Sequence, residues 1–341
     1  MNVRAPHLLL KTSPFEKHRI TTPRLMVEVH LALLPVVAAS VVYFGIGALL
    51  VILSAVAGAV FTEWLWGPRP TGKRDGKTLF DASAALTGVL LGLTLPPGIP
   101  LWMAFLGGFV AIGLGKLIWG GLGRNLFNPA LVGRAFLQAA FPAALTTWQA
   151  PGATKDILST RAADLALPFL DGTVDAVTTA TPLARMKFEG QLTPLTSLFV
   201  GSTAGSLGET SALALLLGGI YLLARRAFDW RIPASILLAA AAMSGLLHVL
   251  APGRFPPPWF MVCSGGLLLG AIYMATDPVT SPLSPRGAWV FGSAIGVLVI
   301  LIRLFGGLPE GVMYAILLMN AATPLIDRRF QPRAFGRGRK P

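Results

Sequence analysis

Charge is what this sequence has least of: 13% of its 341 residues are Asp, Glu, Lys or Arg, where a soluble domain usually carries about a quarter. With 54% hydrophobic residues, that scarcity excludes an ordinary water-exposed globular chain. Cysteine is nearly missing too. Cys263 is the only one, so the chain can form no intramolecular disulfide and cannot by itself supply a four-thiolate iron–sulfur site. Four scattered histidines argue against a dedicated metal cage, and no metal ligands are expected. No stretch is left over for a large soluble domain.

What is present is a succession of apolar runs, each near the roughly 20 residues that cross a hydrocarbon core. Ten are expected to span: 25–43, 45–66, 79–95, 101–119, 126–148, 209–224, 232–250, 258–276, 287–305 and 311–326. The fold class is therefore all-α and polytopic, a single membrane domain over 1–341. The third and fifth runs carry small or polar interruptions, FDASAALTG and NLFNPALVGRAF. Such helices are tolerated where they face a cavity or other protein. The first run follows basic residues, as a signal peptide does, but Glu28 and His30 interrupt it and no small-residue cleavage site ends it. It reads as a retained helix.

The net charge of +13 raises the possibility of a nucleic-acid partner, and the placement of the basic residues argues against one. Loops on the N-terminal side of the alternation hold 20 Lys and Arg and those on the other side five, which is the positive-inside pattern of a topology signal. Both termini are expected in the cytoplasm. The loop 149–208 then lies on the far face, periplasmic in a bacterium.

Several short motifs stand out against this background. Gly88-Val-Leu-Leu-Gly92 in the third run is echoed by Gly266-Leu-Leu-Leu-Gly270 in the eighth. The copies are five runs apart, and an odd number per repeat inverts one copy relative to the other, an architecture common in proteins that move solutes across a bilayer. Asn125 and Asn128 open the fifth run with Pro129. At i and i+3 on a helix they share a face, serving either as plain helix-entry caps or as a polar pocket for a heteroaromatic ring. Asp277, after the eighth run and before Pro278, is either a turn residue or part of an ion or flavin site; Asp81 is a candidate of the same kind. Ser206 and Glu209 have the spacing of a capping box, which accounts for both residue types. Glu28, His30 and Glu63, in or at the ends of runs, are expected to make helix–helix hydrogen bonds.

The loop 149–208 contains Asp175-Ala-Val-Thr-Thr-Ala-Thr-Pro-Leu183. A threonine hydroxyl here can attack the phosphoanhydride of FAD and retain FMN as a phosphodiester. That chemistry wants an accessible hydroxyl, a small neighbour such as Ala180 and an acid such as Asp175. Threonine-rich loops are also common and chemically silent, and spacing alone does not separate the two.

Six blocks in order carry a resemblance: DASAALTGVLLGLTLPP, GGLGRNLFNPALVGRAFL, DAVTTATPL, GSLGETSAL, ATDPVTSPLSPRG and PEGVMYAILLMNAATPLIDRRFQPRAFG. Over nearly its whole length the chain resembles the RnfD/NqrB family, flavin-carrying membrane subunits of the Rnf complex and of the sodium-pumping NADH:quinone oxidoreductase. The short N-terminal stretch and the ending PLIDRRFQPRAFG lean to the Rnf branch. The resemblance implies a urea-transporter-like fold of two inverted five-helix repeats, about 25–148 and 209–326, with a flavin-carrying loop at 149–208 and a cytoplasmic tail at 327–341.

It also implies covalent FMN on Thr181, the last threonine of a D-x-x-[ST]-x-A-T pattern, and a noncovalent riboflavin near Asn125 and Asn128, with Asp277 completing the pocket. Thr179 stands where that pattern often has glycine, and Ala82 where the family usually has glycine after the aspartate. The implied partners are the subunits RnfA, RnfB, RnfC, RnfE and RnfG, the lipid bilayer of a bacterial cytoplasmic membrane, and a flavin transferase. The implied activity is electron transfer coupled to Na+ or H+ movement, with no complete catalytic site in this chain. The alternative class is a solute channel of urea-transporter type, which has no use for a flavinylation motif.

Overall fold

The computed structural model describes residues 21–67, 81–152, 166 and 178–331, and among these it contains helices and no strand. Asp175 and Thr173, the basic residues up to Arg19, those from Arg69 to Lys77 and those from Arg333 onward lie outside the described residues.

Helix α1 (Thr22–Phe44) starts at a proline-containing first turn and ends on Gly45, whose φ of 80° lets one residue both close α1 and open α2 (Ile46–Trp66). The next helices are α3 (Ser83–Leu93), α4 (Leu101–Gly115), α5 (Pro129–Ala140) and α6 (Pro142–Thr146). Then come three short turns of helix, α7 (Pro182–Ala184), running into a wider π turn at Arg185–Glu189, and α8 (Leu195–Val200). The second half has α9 (Ala212–Ala224), α10 (Arg231–Leu250), α11 (Pro258–Cys263), α12 (Leu267–Leu269), which widens to a π turn at Gly270–Met274, α13 (Pro285–Phe305) and α14 (Val312–Arg329).

Five helical segments, Thr22–Phe44, Ile46–Trp66, Leu101–Trp119, Arg231–Leu250 and Pro285–Phe305, are long and apolar enough to cross a membrane. Their outer faces keep Leu34, Val42, Leu53, Trp64, Ile118 and Val249 exposed, a surface suited to lipid and costly in water. Each half is built around one close helix pair, α2 on α4 and α10 on α13. Glycine makes both contacts possible: a Cβ at Gly108 would collide with the Ala55 carbonyl oxygen, and one at Gly296 with that of Ile236. Apolar solvent provides little drive for helices to associate in lipid, so such close backbone approach supplies the dispersion contact instead.

The short, interrupted helices lie inside this frame. α3 packs on α2 and α5, and α5 touches α14. Their loose backbone ends find partners within the protein, as they must at membrane depth. Two local expectations are corrected. The fifth run reads as helical from 126, but the helix begins at Pro129, so Asn125 lies in the preceding loop and does not share a helix face with Asn128. The sixth begins at Ala212, capped by Ser211, whose Oγ accepts from Ala214 N at 3.3 Å.

Alternation of the long helices gives the bundle two ends. α1 begins at one, here the α1 end, where Glu63 and Lys116 at the finish of α2 and α4 also meet. α9 runs antiparallel to α1 and finishes there, Arg225 pairing with Glu28.

Candidate functional site

Cavities that carry buried polar side chains lie at both ends. The one at the α1 end encloses about 770 Å³ including its open mouth, and Asn125, Asn128 and Asp277 all line it, together with Ser83, Lys116 and Tyr273. The rest of its wall is mainly apolar, from Met26, Leu86, Leu90, Leu222 and Phe228. An apolar lining with a few converging polar groups is the kind found in small-molecule sites in general.

Asn128 is fully engaged. Its Oδ1 caps α5 by accepting from Ala130 N (3.0 Å) and Leu131 N (3.4 Å), and its Nδ2 donates to the Met274 carbonyl at 3.0 Å, tying α5 to the π turn. The cap reading of this residue is therefore correct as far as it goes. Asn125 differs: Nδ2 donates to the Phe127 carbonyl at 3.2 Å, while Oδ1 is buried with no partner among the described residues. An orphaned acceptor in an apolar cavity is costly unless a ligand donor meets it, and the ring N–H of a flavin is such a donor. The residues present fit that group. Asp277 accepts from Val279 N at 3.4 Å and from the Thr280 hydroxyl at 3.1 Å. Burial pushes its carboxyl above the usual range, and these two bonds pull it back.

Lys116, 2% exposed, closes the inner wall. Its Nζ donates to Glu63 Oε1 and to Ser83 Oγ, both at 2.6 Å, and Ser83 Oγ donates to Asp81 Oδ1 at 2.5 Å. Asp81 thus starts a hydrogen-bonded chain that ends in a buried ion pair.

Thr181 is at the opposite end and lines a different cavity. It is the N-cap of α7: Oγ1 accepts from Ala184 N at 3.2 Å and its carbonyl accepts from Arg185 N at 2.9 Å. The flavinylation chemistry calls for an accessible hydroxyl, yet Thr181 is only 4% exposed, and the exposed threonine is Thr178. The segment is docked by Thr179 N to the Trp148 carbonyl (2.8 Å) and by Lys187 Nζ to the Arg303 carbonyl (3.0 Å). Esterification thus requires it to be undocked. Chemically the oxygen still fits: it is used as an acceptor, and its hydrogen meets no acceptor among the described residues, so replacing that hydrogen by phosphoryl breaks no hydrogen bond.

Beside Thr181 is a narrower cavity of about 310 Å³, lined by Leu183, Glu209, Cys263, Gly265 and Glu310. The expected capping box proves to be half of one. Glu209 Oε1 does accept from Ser206 N at 2.8 Å, but this closes a turn ahead of α9, not the helix itself. Glu310 Oε2 pairs with Arg134 of α5 at 2.5 Å, and Arg134 also donates to the Thr94 carbonyl at the end of α3. Burial and the Glu209 carboxyl beside it push the Glu310 carboxyl up to about 7, against the pull of Arg134. Arg303, 1% exposed, spends its guanidinium on the carbonyls of Met261 (2.5 Å) and Ser264 (2.9 Å).

Lys116, Arg134 and Arg303 are missed when basic residues are weighed only as loop markers. They are the only Lys or Arg within the ten expected runs, and an ionisable residue inside a run is a signal in its own right. Glu209 is hidden by the cap that explains it.

Membrane-length helices packed around broken ones, with a buried polar cavity at each end, define a polytopic membrane protein built around internal sites. The profile of the NQR2, RnfD, RnfE family matches residues 9–336, and the chain belongs to that family. It is 42% identical over 340 residues to the D subunit of the ion-translocating oxidoreductase complex of Stutzerimonas stutzeri, covering 94% of this chain and 93% of that one. It is 40% identical over 339 residues to the D subunit of the proton-translocating ferredoxin:NAD(+) oxidoreductase complex of Clostridium ljungdahlii, covering 96% of each. The corresponding D subunit of Yersinia enterocolitica is 38% identical over 352 residues, covering 97% of this chain and 99% of that one.

Proposed function

We propose that this chain is the membrane flavoprotein subunit of an ion-translocating ferredoxin:NAD oxidoreductase complex. It would lie in a bacterial cytoplasmic membrane as ten spans in two inverted repeats, both termini cytoplasmic and Thr181 on the far side. Near-full-length identity to D subunits of such complexes carries the reading. FMN attached to Thr181 and riboflavin in the cavity of Asn125, Asn128 and Asp277 are its cofactor content. Bound flavins supply the electron exchange that amino-acid side chains cannot.

This chain's own residues hold and tune. Asn125 Oδ1 offers the acceptor for a ring N–H, and Asn128 fixes α5 against the π turn so that the wall keeps its shape. Lys116, paired with Glu63 and donating to Ser83 Oγ, closes the inner wall. The apolar lining would exclude water and strengthen a hydrogen bond from a bound ring to Asn125. Thr181 serves as a tether. NAD and iron–sulfur chemistry belongs to the partner subunits RnfA, RnfB, RnfC, RnfE and RnfG, a flavin transferase loads Thr181, and the coupling ion is Na+ or H+.

Ultraviolet fluorescence of the denatured polypeptide on a gel tests the central point. A fluorescent band for the 35.9 kDa chain is expected from cells that have the transferase. A dark band would favour the solute-channel reading. Reporter fusions after Thr160 and at the C-terminus should signal from opposite sides of the membrane; signals from one side would overturn the topology.

A further inference from the structure

The carboxyl groups beside Thr181 have no part in that reading. Glu209 is 8% exposed; its Oε1 is satisfied by Ser206 N, but among the described residues no hydrogen-bond donor reaches its buried Oε2. Glu209 and Glu310 line the same cavity and their carboxyls act directly on one another. Among the described residues the two acids nevertheless have one direct cation between them, Arg134, which pairs with Glu310. Arg303 is close enough to be felt by both, but its terminal nitrogens are given to backbone carbonyls. Lys187 is likewise turned away, toward the Arg303 and Leu308 carbonyls. The other titratable neighbours are the Cys263 thiol in this cavity and the Tyr314 phenol beside Glu310 in the next.

Two carboxylates lining one narrow cavity repel, and the common resolution is a single proton between them. We propose that Glu209 and Glu310 hold one proton in common, making this cavity a proton-binding site beside Thr181. A proton on Glu310 gives Glu209 Oε2 the donor it lacks, and one on Glu209 turns that oxygen into a donor. A metal cation is the poorer occupant. It needs a shell of several oxygens, and among the described residues no three His, Cys, Asp or Glu come together to hold one. Glu310 also lines a second cavity of about 540 Å³ with Arg134, Gln138 and Ser206. It therefore stands between two spaces, where a bound proton can be passed from one to the other. The site goes beyond the flavin reading and does not depend on it.

Infrared difference spectra of the assembled complex, titrated with pH, test the pair through the carbonyl stretch of a protonated carboxyl. One band is expected, titrating near neutrality, shifted by deuterium oxide and lost in both Glu209→Gln and Glu310→Gln. It should persist in Thr181→Ala, which separates this site from the flavin attachment. Absence of any such band in the wild-type complex overturns the proposal, a result that needs no variant to fold. Persistence of the band in both Gln variants also overturns it. So does loss of the band when sodium is added at constant pH, since that would make the cavity a cation site.

Discussion

The two ends of the bundle solve one problem in two ways. At the α1 end the cation that finishes α4, Lys116, meets a carboxylate, Glu63, and the start of α3 at Ser83. At the other end the cation near the finish of α13, Arg303, meets only carbonyls, those of Met261 and Ser264 ahead of α12. In both places a long helix ends in a buried cation that holds a broken helix. Matching the charge at once leaves a wide apolar-walled cavity free for a ligand. Leaving it to carbonyls sets the nearby carboxyls to pair among themselves beside Thr181. One device thus yields a ligand-sized site and a charge-sharing site, according to where the counter-charge sits.

The sharpest break between the ends is all-or-none. Thr181→Ala should abolish gel fluorescence because alanine has no oxygen to esterify, while changes at Asn125 or Asn128 should leave it intact. Peptide mass spectrometry should place the FMN mass on the peptide holding Thr178 to Thr181; label that persists in Thr181→Ala, or maps to Thr178, would show the assignment wrong. Next in size are the two ion pairs. Lys116→Met breaks the Lys116–Glu63 ion pair, whose side chains are 2% and 0% exposed, and a buried pair broken from one side costs up to about 3–5 kcal/mol. Arg134→Met disturbs a pair whose side chains are 11% and 23% exposed, where water screens more of the loss. The Lys116 variant should melt lower in detergent than the Arg134 variant; the reverse order would mean that the α1 end is not the better matched one.

Much of the α1-end site could be read from sequence, because its residues announce themselves. Asn125, Asn128 and Asp277 are polar and at the ends of apolar runs, Asn128 and Asp277 directly before proline, and all three line one cavity. Periodicity and length likewise mark out the long helices. The Thr181 end was less legible. Its motif could be seen, but the burial of Thr181 follows from docking against Trp148 and Arg303, which are distant in sequence. The carboxyl pair joins Glu209 to Glu310 across the whole second half of the chain, and no local spacing encodes such a meeting. Nor did the i, i+3 argument for Asn125 survive, since Pro129 begins the helix after it.

Within the α1 end, two asparagines that look alike in sequence should part company. Asn128→Ala removes the α5 cap and the bond to Met274, so it should lower stability by about 1–3 kcal/mol and also loosen the flavin. Asn125→Ala loses one bond, from Nδ2 to the Phe127 carbonyl, and an oxygen that has no partner among the described residues, so stability without ligand should fall by no more than about 1 kcal/mol while retained riboflavin falls. Measuring melting temperature and extractable flavin for both variants separates the roles. Wild-type flavin content in Asn125→Ala would make this residue a loop element only.

The smallest expected effect has the opposite sign. Each broken helix is entered through a left-handed residue, Ala82 (φ 60°) before α3 and Gly265 (φ 62°) before α12. Glycine adopts that conformation without strain, whereas an L side chain there carries roughly 1–2 kcal/mol. Gly265 has a second reason to lack a side chain, since a Cβ would lie 2.6 Å from Leu183 Cδ1 and 3.1 Å from an Arg303 nitrogen. Ala82 is tolerated because Asp81 Oδ1 holds the turn through Ser83 N at 2.8 Å and the Ser83 hydroxyl. Ala82→Gly relieves the strain but frees the unfolded chain, so the net gain should be about 0.5–1 kcal/mol. A melting temperature unchanged or lowered by Ala82→Gly would mean that the alanine methyl contributes more by packing than its backbone loses.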